Sequence, residues 1–361
     1  MNLKTDRPRI MITGFYGVGN SGDEAMLRNF VFKMKERLPN AVILVASDAI
    51  GEWAFNDVYY ISPSDRSQLA ETDMFVVGGG DLGVGFGWNL LPWAKIFKNK
   101  CVMMSNGIND TWRDSKFEKI NCGMLELFDE IYVRNADSHE FLNGMGIANK
   151  LTTDMAFDLY SVPISFRKRE KHITLCIREV EHLQHSKMYE CARAIIKRLL
   201  TEDYSITLLP LCKEDAIRYE SFKDVFNTQK LQFVYTTDPQ HHKHIIEKST
   251  CVISLGRLHP LVYAASASVP MIAIEPPKSK VTGYSKIKAW MQYLDLEDLH
   301  MEFPTSQDQF VKKWFYLEKY YAEIKENLNK QVGKHTELNN KQFDELASSL
   351  KEEKRAEETE G

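Results

Sequence analysis

The sequence predicts an α/β protein built from two parallel-sheet domains, and three observations carry that expectation. The chain has 361 residues, more than one core comfortably fills and about right for two α/β domains. From Arg9 onward, short apolar runs alternate with amphipathic stretches, the pattern of a parallel sheet wrapped by helices. The alternation fails around Leu159 to Lys171, over the proline-, serine- and base-rich segment SVPISFRKREK, and then begins again.

In the first half the expected strands are Ile10–Thr13, Val42–Ala46, Met74–Val77, Val102–Ser105 and Ile131–Val133, with the apolar density of strands buried on both faces. The first helix is expected from about Asp23 to Arg37, because Met26, Leu27, Phe30, Val31 and Met34 repeat at three and four residues. The second half offers strands at Ile173–Ile177, Ile206–Leu209, Phe233–Tyr235, Cys251–Ser254 and Met271–Ile274, and a helix near Tyr189–Leu200. Beyond Glu302 the residues Phe310, Trp314, Leu317, Tyr321, Ile324 and Leu328 form a narrow helical seam. The first reading of that seam is a last helix that crosses back onto the N-terminal domain. The second, prompted by Lys312, Lys313 and Lys319, is peripheral association with a membrane surface. The end of the chain, KEEKRAEETEG, has no apolar face and reads as a disordered tail. The expected division is therefore 1–165, 166–302, a helical segment 303–350 and the tail 351–361.

Composition narrows the function classes. With 43% hydrophobic and 27% charged residues the chain can fill two cores, and a formal net charge of -4 gives no global attraction to nucleic acid. An anionic substrate must therefore be held by a local cluster of cations. The six cysteines are dispersed without a CxxC pair, which fits reduced core residues in a cytoplasmic protein. The apolar runs stop well short of the roughly 20 residues that span a bilayer. His182 with His185, and the group His241, His242 and His244, lack acidic or cysteine partners in sequence. They read as solvated helix-end histidines, so no metal is expected.

Chemistry concentrates at a few turns. Gly14 to Ala25 reads GFYGVGNSGDEA between the first strand and the first helix, where glycines let backbone amides approach an oxygen-rich ligand. It holds GxGxxG spacing, yet acidic Asp23 and Glu24 stand where a pyrophosphate would lie, which argues against a nucleotide there. As purely structural groups, Asp23 and Glu24 would stabilise the helix dipole. In the second half, Ser254-Leu255-Gly256-Arg257-Leu258-His259 stands between a strand and a helix. Arginine offers a planar fork for carboxylate or phosphate, and histidine exchanges a proton near neutral pH.

These segments together resemble the polysaccharide pyruvyl transferases. The likeness covers G-x-G-N-x-G-D-E-A at Gly17 to Ala25, Val76-Val77-Gly78-Gly79-Gly80-Asp81, Tyr132 to Ser138, Thr153 to Phe157, Ile177-Arg178, Arg257-Leu258-His259, and Lys280-Val281-Thr282-Gly283. It departs at Asp81, in the loop Ser105 to Asp110, and at Pro260 after the histidine. The layout further resembles the GT-B architecture of two Rossmann-like halves, which implies an active site between them, an acceptor side in the first half and a donor side in the second. The resemblance implies phosphoenolpyruvate as co-substrate, a sugar or a lipid- or nucleotide-linked saccharide as acceptor, no cofactor and no required metal. It implies Arg134, Arg257 and Lys280 as donor-binding cations with Arg178 in reserve, and His259 with Arg257 as catalytic groups. Glu24 or Asp23 would deprotonate the acceptor, and Asn20, Gly79, Gly80 and Asp81 would line its site. Two other readings stay open: a glycosyltransferase or epimerase that uses a nucleotide sugar, for which Glu275 is the nearest ribose-binding candidate, and a sugar-binding homologue without activity.

Overall fold

The computed structural model describes residues 7–49, 51, 54–81, 88–109, 113, 118–167, 170–178, 185–225, 228–276, 285–303 and 305–360. It divides into two compact units: residues 1–158 with 335–361, and residues 159–334.

Unit 1 carries strands β1 (Arg9–Thr13), β2 (Val42–Ala46), β3 (Tyr59–Ile61), β4 (Met74–Gly80), β5 (Lys100–Asn106), β6 (Glu130–Val133) and β7 (Lys150–Leu151). They form a wholly parallel sheet in the order β3-β2-β1-β4-β5-β6-β7. The helices α1 (Ser21–Arg37), α2 (Leu91–Ile96), α3 (Glu118–Leu125) and α4 (Ala136–Gly144) alternate with the strands. α1 starts at Ser21 because the Asn20 side chain accepts from the Gly22 amide at 3.2 Å. Met26, Phe30 and Met34 bury one face of it, while Phe75, Val77, Met103 and Val133 anchor a core cluster on the sheet.

Unit 2 repeats the plan with β8 (His172–Ile177), β9 (Ser205–Leu208), β10 (Leu231–Phe233), β11 (Cys251–Leu255), β12 (Met271–Glu275) and β13 (His300–Glu302), ordered β10-β9-β8-β11-β12-β13 and all parallel. Its helices are α5 (His185–Thr201), α6 (Lys213–Val225), α7 (Pro239–Glu247), α8 (His259–Ser266), α9 (Lys286–Tyr293) and α10 (Gln307–Lys319). In each sheet the chain winds outward one way from the first strand and then back the other way. The reversal lies between β1 and β4 in unit 1 and between β8 and β11 in unit 2. In doubly wound sheets, ligands bind beyond the carboxyl ends of the strands at such a reversal.

The units divide at Asp158 and Leu159, earlier than the expected boundary at 165. The base-rich segment joins unit 2 because α7 holds it: Gln240 Nε2 donates to the Tyr160 carbonyl at 3.3 Å, Lys243 Nζ to that of Leu159, and Ser161 Oγ to Glu247 at 2.6 Å. The expected separate helical segment is also divided. α10 packs in unit 2, with Trp314 edge-on to Tyr204 at 5.3 Å between centroids. Phe310, Trp314, Leu317 and Leu328 are all buried, so the seam serves the core rather than a membrane surface. The final helix, α11 (Tyr321–Glu360), gives unit 1 its residues from His335 on. There it buries Phe343, Leu346 and Leu350, and Phe343 meets Phe30 at 5.9 Å. Residues 351–360 continue this helix instead of forming a disordered tail, in a sequence rich in Glu, Lys, Arg and Ala, all good helix formers. No helix among the described residues is long and apolar enough to cross a membrane.

All six cysteines are free thiols, four of them buried. The histidine cluster departs from the solvated reading. His242 is wholly buried on α7, and burial pushes its imidazole down to about 3, so it stays neutral. His185 opens α5, and His182 lies outside the described residues. No three His, Cys, Asp or Glu side chains converge as a metal site among the described residues.

Candidate active site: two strand-end clusters

At the reversal in unit 1, the loop after β1 and the end of β4 lie side by side, since Thr13 and Val77 are in register. Tyr16 is buried, and its hydroxyl donates to the Gly78 carbonyl at 2.5 Å. Gly17 has φ +81°, and a Cβ there would lie 1.8 Å from the Ala49 carbonyl oxygen, so no other residue fits. The Gly17 amide donates to Glu24 Oε1 at 2.7 Å, which ties the glycine loop to the first turn of α1. Glu24 is therefore more than a helix-dipole partner.

Glu24 is 1% exposed, and burial pushes its carboxyl up to about 7 even though the Gly17 and Gly19 amides favour the ionised form. Burial, with Asp23, Glu24 and Asp154 nearby, also raises the Tyr16 phenol well above its ordinary value. Asp23 is buried in the same turn, and Asn20 is the cap described above. Gly79 and Gly80 end β4 with φ of 72° and 99°.

Arg134 departs from its expected role as a donor-binding cation. Its guanidinium is 2% exposed and lies between two carboxylates, NH1 to Asp154 Oδ2 and NH2 to Asp81 Oδ1, both at 2.7 Å. Two carboxylates already satisfy that one cation, so it organises unit 1 rather than supplying charge for an anion. Asp81, expected to line the acceptor site, is one of the two. Sequence reasoning treated Thr153 to Phe157 as a motif match only. The structure gives Asp154, fully buried, its role as an Arg134 partner.

At the reversal in unit 2, β8 ends at Ile177 and β11 at Leu255, in register with each other. Arg178 follows β8, and its amide donates to the Leu255 carbonyl at 2.8 Å. Gly256 follows β11 with φ +79°, and a Cβ there would stand 3.1 Å from Arg178 Cβ. Glycine thus lets the two chain segments meet, which brings Arg178 beside the Arg257 turn. Ser254 Oγ donates to the Arg257 carbonyl at 2.5 Å and closes that turn.

The Arg257 side chain is not an unpaired cation. It forks onto Asp215, Nε to Oδ2 at 3.0 Å and NH2 to Oδ1 at 2.6 Å, and NH2 also reaches Cys212 Sγ at 2.8 Å. Burial opposes its charge, but Asp215 outweighs burial and keeps the guanidinium firmly ionised. Burial pushes the neighbouring Cys212 thiol up to about 12, which leaves it protonated and inert. Asp215 was not anticipated, because an acidic residue in a helix's first turn reads as dipole stabilisation.

His259 is half-buried and opens α8, whose cap residue Leu258 makes no side-chain hydrogen bond. Pro260 falls in the first turn, where its missing N–H costs nothing. Glu275, the ribose candidate of the nucleotide-sugar reading, ends β12 and accepts from His300 Nε2 at 3.0 Å. Lys280 lies outside the described residues.

The polysaccharide pyruvyl transferase family model matches residues 20–277 of the chain. No curated protein sequence shows significant similarity to it. Solved structures share its fold at low identity. An S. aureus MnaA–UDP complex aligns with TM-score 0.64 and 14% identity, covering 89% of this chain and 91% of that one. The UDP-GlcNAc 2-epimerase of Neisseria meningitidis bound to UDP-GlcNAc gives 0.59 and 10%, over 89% and 93%. Arabidopsis thaliana UGT89C1 complexed with UDP gives 0.60 and 13%, over 95% and 100%. The two-domain fold is thus that of GT-B glycosyltransferases and epimerases.

Proposed function

The chain belongs to the polysaccharide pyruvyl transferase family, and on that premise we propose that it moves pyruvate from phosphoenolpyruvate onto two hydroxyls of a sugar in a surface-polysaccharide precursor, closing a cyclic ketal. The observation that carries this reading is positional. The glycine loop after β1, the end of β4, Arg178 and the Arg257-to-His259 turn, all residues that resemble the family's motifs, lie at the carboxyl ends of the strands at the reversal of each sheet, where ligands bind in this class of fold.

The donor brings a carboxylate and a phosphate, so it belongs with the cations of unit 2, Arg178 and Arg257, joined by Lys280. The amino end of the α8 dipole adds positive potential beside Arg257. His259 delivers a proton to the methylene carbon of the enol, which becomes the methyl group. One sugar hydroxyl adds to the neighbouring carbon, and the second then displaces phosphate from it. Of the two hydroxyl protons lost, one balances the proton placed on carbon and the other leaves with phosphate. Proton acceptance from the sugar falls to unit 1, where Glu24, with a pKa near 7, has a proton affinity matched to neutral pH and Asp23 stands beside it. Asn20, Gly79, Gly80 and Asp81 serve the acceptor on the same strand ends. The donor carries its own leaving group, so no cofactor enters the balance.

The test is to incubate the protein with phosphoenolpyruvate and lipid-linked or nucleotide-linked saccharides, following inorganic phosphate and acceptor mass together. The expected result is phosphate release matched one for one by acceptor carrying a pyruvate ketal. Consumption of a UDP-sugar with phosphoenolpyruvate untouched would replace this reading by the nucleotide-sugar one. Saccharide binding without turnover would leave a sugar-binding homologue.

A further inference from the structure

α6 opens beyond the carboxyl end of β9 and turns two side chains, one helical turn apart, onto the strand ends of unit 2. The first is Asp215, which is fully buried. It takes the paired bonds from Arg257 Nε and NH2 at 3.0 and 2.6 Å, and the Leu211 amide donates to its Oδ2 at 3.2 Å. The second is Tyr219, whose hydroxyl donates to the Ile177 carbonyl at 2.9 Å and accepts from the Ile177 amide. Ile177 is the last residue of β8, immediately before Arg178. One helix face therefore sets both the arginine fork after β11 and the strand end that carries the other arginine.

We propose that Asp215 is a positioning residue for pyruvyl transfer: it fixes the Arg257 guanidinium in one orientation. The inference rests on the donor-side reading of Arg257 given above. An arginine side chain has large rotamer freedom, and a two-point carboxylate partner removes most of it before the donor arrives. With Nε and NH2 committed to Asp215, NH1 is the corner of the fork outside the pair. The backbone is held as well, since Ser254 Oγ donates to the Arg257 carbonyl at 2.5 Å and the Gly256 amide to that of Ile274 at 2.8 Å. The pair is neutral as a whole, so Asp215 contributes direction, not attraction.

The test uses Asp215→Asn, Arg257→Lys and the double variant in the full chain, with kcat and the KM for phosphoenolpyruvate measured per folded molecule. Asp215→Asn should lower kcat by about 100-fold, the scale expected when a reacting group is misplaced by about 1 Å. Its KM should stay level or fall, because the site gains one positive charge. In the Arg257→Lys background the same change should lower kcat far less, since the two residues act as a unit. A merely structural Asp215 would lower the melting temperature and leave kcat and KM per folded molecule unmoved. That result, alongside a slowed Arg257→Lys, would overturn the inference while the donor-side reading stands. A silent Arg257→Lys would instead sink the donor-side reading and this inference with it. Should Asp215→Asn not fold, Asp215→Glu keeps the charge on a longer stem and should run about 10-fold slower than wild type; wild-type kcat there would overturn the positioning role.

Discussion

The two units repeat one winding and place chemistry-bearing residues at the same kind of reversal, yet the charge balance there differs. In unit 1 Arg134 is held between Asp81 and Asp154, with Asp23 and Glu24 also in the cluster and Arg28 close enough to act on Glu24. In unit 2 two arginines, Arg178 and Arg257, stand with two carboxylates, Asp215 paired to Arg257 and Glu214 near it, with His259 following. The first cluster suits taking protons from hydroxyls and the second suits an anion. The fold supplies two equivalent positions, and the side chains alone divide the labour.

Removing each arginine in turn measures that difference. Arg134→Ala strands two carboxylates, one fully buried, and should cost about 5 kcal/mol of unfolding free energy, read from urea midpoints. A loss under about 1 kcal/mol would mean that Arg134 is not the organiser of unit 1. Arg257→Ala strands only Asp215 and should cost about 3 kcal/mol, so its lost turnover mixes stability with chemistry. Adding Asp215→Ala should return much of that stability without restoring activity, and a failure to do so would point to disrupted packing instead.

Glu24 sharpens the comparison through pH. Its folded pKa of about 7 lies above the ordinary carboxyl value of 4.5. The stability that the protonated group carries is therefore fully present below pH 4.5 and is lost as pH rises through about 7. Between pH 5 and 8 the wild type should lose up to about 3 kcal/mol that Glu24→Gln retains. Parallel stability curves for the two proteins would show that Glu24 ionises normally.

His259 carries the smallest expected stability effect. His259→Ala should leave the urea midpoint nearly unchanged but lower turnover about 100-fold, or about 2.7 kcal/mol in barrier, with the donor KM intact. His259→Gln separates proton transfer from hydrogen bonding, and full activity in that variant would remove the acid–base assignment.

Much of this architecture is legible in the sequence, because strands buried on both faces write themselves as apolar runs. β3, β7 and β13 escaped notice: they are edge strands of two or three residues, and their neighbours' register defines them. In α11 the helix was expected but its inward face was not. Its inward face includes His335, Asn339 and Gln342, all buried, and a search for apolar periodicity passes over them. Their partners are polar groups distant in sequence: Thr153 for His335 at 2.8 Å, Asp158 for Asn339, and Ser105 for Gln342 at 3.3 Å.

The motif residues were legible as well, but their partners were not. Nothing in the spacing reveals that Arg134 is consumed by Asp81 and Asp154, or that Arg257 leans on Asp215, since each pair forms only when separate strand ends converge.

The central claim is that the donor belongs to unit 2, and hydrogen exchange with phosphoenolpyruvate alone tests it most directly. The account predicts that the donor slows exchange in the peptide over residues 251–266, through the Arg257 turn and the start of α8, and leaves residues 14–24 at their unliganded rates. Protection of residues 14–24 with residues 251–266 unchanged would contradict it.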